Sequence, residues 1–74
     1  MKFEDFSAVL KNEILETDTE IDLATNLNEI EEWDSLAFVS FIAFVKELGV
    51  KNIDNTILSK AETVEELYTL VKAL

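Results

Sequence analysis

The chain has 74 residues with six lysines, no arginine and sixteen acids, a net charge of −10, and it contains no cysteine, histidine or proline. This composition excludes disulfides, thiolate and imidazole chemistry of its own and most zinc sites. Its sign argues against nucleic acid or an anionic membrane as a partner. No secretory or membrane-length apolar run is visible, so one cytoplasmic domain over residues 1–74 with no enzymatic activity is expected. The acid is unevenly placed: residues 1–34 hold eleven acids and two lysines, residues 35–74 five acids and four lysines. At 49% hydrophobic residues the chain is too apolar for a disordered acidic tail.

Phe3, Phe6, Leu10 and Ile14 recur at intervals of three and four, which predicts an amphipathic first helix through about Leu15. From Thr17 to Asp34 that rhythm stops. Asp18, Thr19, Asp22, Thr25, Asn26 and Asn28 compete for backbone hydrogen bonds and favour a long loop. Ile21, Leu23, Leu27, Ile30 and Trp33 are its expected anchors, with the Trp33 indole donating to a backbone group.

Leu36 to Leu48 is the most apolar stretch, bracketed by Asp34-Ser35, either of which can cap its start, and by Gly49 as the left-handed residue after its end. Phe38, Phe41, Ile42, Val45 and Leu48 make its core stripe, and Leu36, Ser40, Ala43 and Glu47 the opposite face. Ile57 and Leu58 fit a short helix begun by Asp54. Thr63-Val64-Glu65-Glu66 reads as a capping box that opens a last helix with Val64, Leu67, Tyr68 and Val71 inward. The fold class is therefore all-α: a small four-helix bundle of three main helices and a short third one, with a long loop between helices 1 and 2.

Ser35 sits where the polar loop becomes a buried helix. Its hydroxyl is expected at the positive helix end, where the macrodipole and free N–H groups favour a phosphate ester on that oxygen. No histidine or nearby lysine makes it a nucleophile, so a second enzyme must activate it. The alternative is a serine that serves the helix cap alone.

Around Asp34-Ser35-Leu36, with Trp33 in front, the chain resembles the acyl carrier proteins and the related aminoacyl and peptidyl carriers. The resemblance covers nearly the whole chain: an acidic first helix, a long loop, the Asp-Ser-Leu helix through Leu48-Gly49-Val50, a short segment after Ile53, and Ala61 to Leu67 opening the last helix. It implies that a phosphopantetheinyl transferase attaches 4′-phosphopantetheine from coenzyme A to Ser35. The arm's thiol would then hold acyl intermediates for fatty-acid, polyketide or related biosynthesis. Asp34 would help place metal and pantetheine during loading, and Leu36 would pack against the transferase. Helix 2 would be the docking face for synthases or for acyl- or aminoacyl-activating ligases, through Leu36, Val39, Ser40, Ala43 and Glu47. Phe38 would touch the cargo, with Ile53, Ile57 and Ala61 opposite. Carriers that visit several enzymes are expected to be monomers.

The chain departs from the fatty-acid pattern in that Ala37 and Ser40 stand where acids are usual, and Lys46 where another acid is common. The negative field lies instead before the serine, in Glu29, Glu31, Glu32 and Asp34. A dedicated aminoacyl carrier served by its own adenylating ligase therefore remains a reading beside the acyl carrier. So does an unmodified helical interaction domain that uses Val39, Ala43 and Phe44. A calcium loop would place Asp18, Glu20, Asp22, Asn26 and Glu29 at ligand positions. It fails on Leu23 where the sharp turn needs glycine, and no metal site is expected.

Overall fold

The computed structural model describes residues 1–73. Four α-helices make a small all-α fold: α1 (Phe3–Val9), α2 (Ser35–Glu47), α3 (Asn55–Lys60) and α4 (Val64–Thr69), with a π-helical turn at Leu10–Ile14 and a 3-10 turn at Leu27–Glu29. No described helix is long and apolar enough to cross a membrane.

The first helix does not run regularly to Leu15 as the periodicity predicts. The Leu15 N–H donates to Leu10 O at 2.8 Å and the Thr17 N–H to Lys11 O at 3.0 Å, so the last turn widens before Glu16 breaks it at φ 52°. Widening changes the phase of the stripe. Phe6 and Leu10 are buried as expected, but Leu15 goes inside and Ile14 is left half-buried at the surface of the turn.

The loop is fastened to α4 by backbone. The Leu27 N–H donates to Glu62 O, while the Val64 and Glu65 N–H groups, which no α4 carbonyl can satisfy, donate to Thr25 O and Leu23 O. Ile21, Leu27 and Ile30 fill the core beneath it. Leu23 corrects the expectation: its side chain is exposed, and its carbonyl does the anchoring. Trp33 is held by its ring against Phe38 and Phe41, at 4.8 and 6.0 Å, and its indole N–H has no hydrogen-bond partner among the described residues.

Each cap expected from sequence is present. Asp34 Oδ1 accepts from the Leu36 and Ala37 N–H groups at 3.1 Å, and Asp54 Oδ1 from Ile57 N–H at 3.0 Å. At the far end of α2, Gly49 adopts φ +102° while the Gly49 and Val50 N–H groups close onto Lys46 O and Val45 O. Thr63 and Glu66 form the reciprocal capping box of α4.

Bonds from the Glu62 and Thr63 N–H groups hold the Glu66 carboxyl below its ordinary value. A carboxylate whose pKa is lowered by folding stabilises the fold above its unfolded value, and that contribution is lost as pH falls through the folded value. Stability should therefore fall on acidification below about pH 4.5, the ordinary value of this carboxyl. In Glu66→Gln, which keeps an acceptor but does not titrate, the fall should be smaller. Equal acid sensitivity of the two proteins in chemical denaturation at pH 3 and pH 7 would contradict this role.

All seven aromatic rings join one network. Phe6 meets Phe3, Tyr68 and Phe41, and Phe41 continues to Trp33 and Phe44. The Tyr68 hydroxyl donates to Met1 O.

Charge is compensated sparsely: Lys11–Glu20 at 2.9 Å is the one ion pair among the described residues. The molecule's longest extent is 28 Å, while the Debye length falls from ~30 Å at 0.01 M salt to ~8 Å at 0.15 M. At low salt every acid thus feels the others, and adding salt in this range should raise the melting temperature. An unchanged or lower melting temperature would contradict the repulsion.

Candidate functional site

Helix α2 begins at Ser35 because Asp34 takes up the N–H groups of Leu36 and Ala37, while the Phe38 N–H closes onto Asp34 O at 2.9 Å. Ser35 is exposed, and its hydroxyl and backbone N–H have no hydrogen-bond partner among the described residues. One expectation needs correcting. Asp34 occupies two of the N–H groups that could receive a phosphate, which leaves the Ser35 N–H and the dipole of a thirteen-residue helix. Both bonds to Asp34 use Oδ1, and Oδ2 has no hydrogen-bond partner among the described residues.

The residues expected on the docking face lie outward together. Leu36 is 78% and Val39 63% exposed, and Ser40, Ala43 and Glu47 are exposed with them. The core seam of α2 is Ala37, Phe41 and Val45, narrower than the predicted stripe and shifted along it, with Phe38, Ile42 and Leu48 half-buried at its sides. Ala37 is therefore a packing position. Its small side chain is 3% exposed and lies beside Ile14 and Leu15.

Phe38 lies against Trp33, on a different part of α2 from two clefts that open along the helix. The first, about 310 Å³, lies beside the start of α2 and is lined by Glu13, Glu16, Glu32 and Asp34 around Ile14, Leu36, Ala37 and Ser40. The second, about 230 Å³, adds Ala43, Phe44 and Glu47. Sequence reasoning missed the Glu13–Glu16 wall, because only the widened turn at Leu10–Ile14 brings it beside α2.

In the loop, Asp22 accepts from Ala24 N–H and Thr25 Oγ1, Asn26 from Asn28 N–H, and Glu20 pairs with Lys11. These groups serve the loop's own turns. Among the described residues no group of three or more acids comes together to hold a metal ion. Comparison with known proteins yields no relative: no family model matches the chain, and neither a curated protein nor a solved structure does.

Proposed function

We propose that this chain is an acyl carrier protein: a four-helix bundle with a long first loop that bears a 4′-phosphopantetheine arm on Ser35. The supporting observation is an unpartnered serine hydroxyl at the first position of a long, capped helix, with an open cleft and two exposed apolar side chains beside it. The residues fit the group. The Ser35 N–H and the positive end of α2 favour the phosphate ester, and Ser40 with Ile14, Leu36 and Ala37 nearby suits a chain of amides and methylenes.

During loading the Ser35 hydroxyl attacks the coenzyme A phosphorus that carries pantetheine. The Oγ–P bond forms, the bond from that phosphorus to the departing adenosine bisphosphate breaks, and the hydroxyl proton passes to a base of the transferase. Asp34 keeps the helix start fixed through Oδ1 and offers Oδ2 to the transferase's metal. When bound, the arm supplies a thiol that holds an acyl or aminoacyl group as a thioester.

Leu36 and Val39 give partner enzymes an apolar seat, while Glu29, Glu31 and Glu32 steer their approach by charge. Phe38 is half-buried against Trp33, so cargo would meet only the part of its ring that stays open. The aminoacyl carrier is the second reading, favoured by the acids that line both clefts.

Intact mass after incubation with coenzyme A, magnesium and a broad-specificity phosphopantetheinyl transferase tests the proposal. Gain of one phosphopantetheinyl group is expected. No gain by folded protein, beside a control carrier that loads, would favour the unmodified interaction domain.

A further inference from the structure

We propose that the Leu10–Ile14 turn is a two-register switch, and that the phosphodiester formed on Ser35 moves it. The trigger rests on the carrier reading above; the two registers do not. One register is the observed one. Leu10 O accepts from the Leu15 N–H at 2.8 Å and Lys11 O from the Thr17 N–H at 3.0 Å, with Leu15 and Thr17 buried. Glu16 follows at φ 52°, the one positive φ outside glycine among the described residues. The other register is written in the sequence. Phe3, Phe6, Leu10 and Ile14 keep the three- and four-residue spacing of a regular helix, in which Ile14 rather than Leu15 follows Leu10 into the core.

Three features keep the registers close in energy. The same two carbonyls are satisfied in both, since in a regular turn Leu10 O and Lys11 O accept from the Ile14 and Leu15 N–H groups. Isoleucine and leucine have the same volume, so either can fill the core place after Leu10. The observed register buries Thr17, whose Oγ1 accepts from the Thr19 N–H at 3.1 Å, but it carries the strain of a left-handed Glu16. A regular turn relieves that strain by passing one residue of slack into the loop.

Changing register moves each side chain of the turn by one place. Glu13, Ile14, Leu15 and Glu16 form one wall of the first cleft, and Asp34 and Leu36, on either side of Ser35, belong to the other. After the shift Asn12 stands in the place of Glu13, Glu13 in that of Ile14, Ile14 in that of Leu15, and Leu15 in that of Glu16. The wall then holds one carboxylate instead of two. A phosphodiester on Ser35 adds a negative charge beside this cleft, so it favours the register with fewer acids. A group moves an equilibrium only by its unequal interaction with the two states, and here the inequality is one charge. Like charges about 4–8 Å apart in water shift an equilibrium about two- to fivefold.

The test reads the backbone of Glu16 by NMR, from its Cα shift and the coupling of its amide and α protons, before and after the transferase loads Ser35. Loading should raise the ratio of regular to widened turn about two- to fivefold at about 0.01 M salt, and by less at about 0.15 M. Deleting Asn12 puts Leu15 four residues after Leu10, so a regular turn buries Leu15 and leaves no slack. That variant should load without a change at Glu16. In the unloaded chain, Leu15→Ala should lower the melting temperature by less than half as much as Leu10→Ala, because Ile14 turns in to fill the place. An equal fall in these two variants, or a Glu16 that stays left-handed in the same proportion once Ser35 has gained mass, would overturn the inference and leave the carrier reading standing. So would an equal change at Glu16 in the deletion variant. Failure of folded chain to gain mass at Ser35 would overturn the carrier reading, and the trigger with it.

Discussion

Phe41→Ala is expected to lower the unfolding free energy by about 3–5 kcal/mol, the range for a large aromatic removed from a packed core. Phe41 is fully buried and its ring meets those of Phe6, Trp33 and Phe44. The substitution therefore loses buried area and breaks the contact that joins α1, the end of the loop and α2. For 74 residues, total stability at roughly 0.05–0.15 kcal/mol per residue is about 4–11 kcal/mol. The variant should thus stand near the edge of folding, with a melting temperature lower by at least ~12 °C at ~4 °C per kcal/mol. Leu36→Ala and Val39→Ala, which truncate exposed side chains, should stay within about 0.5 kcal/mol of the parent. A fall below ~5 °C for Phe41→Ala would contradict the central place given to this ring.

The second large effect is chemical. Ser35→Ala should abolish loading by the transferase and leave the melting temperature nearly unchanged. Ser35 makes no side-chain hydrogen bond among the described residues, and Asp34 is the residue that caps α2. Asp34→Ala should behave differently, with a loss of about 0.5–2 kcal/mol typical of a removed N-cap together with slower loading. Comparing the two variants separates the attachment residue from the residue that holds it in place. If Ser35→Ala still gained the arm, or if it unfolded, that separation would be wrong.

Much of this arrangement is legible from local chemistry. Asp34, Asp54 and Thr63 each cap the helix that follows, because a short polar side chain before an apolar run satisfies N–H groups that the helix leaves open. Gly49 likewise marks the end of α2, where φ is +102°. Leu36, Ser40, Ala43 and Glu47 could be placed outward for the same reason: the opposite face of a strongly apolar helix must point outward.

What escaped the sequence has a physical reason in each case. The widened turn at Leu10–Ile14 contains neither glycine nor proline, and Glu16 takes a left-handed φ without any residue type announcing it. Hence Leu15 replaces Ile14 in the core, and the Glu13–Glu16 wall of the first cleft was missed. The loop's attachment to α4 runs through backbone groups of Leu23, Thr25 and Leu27, which any residue except proline can supply, so side-chain patterns do not mark it. Ala37 looked like a surface position short of a charge. Its burial beside Ile14 and Leu15 comes from tertiary packing, which the spacing along α2 does not show.

The most direct test of the central claim is the intact mass of the chain produced in its own cell, with the transferase native to that cell, followed by fragmentation to locate any added group. The account predicts one phosphopantetheinyl group, on Ser35 alone. A folded chain recovered wholly unmodified under these conditions, or modified at another residue, would contradict it.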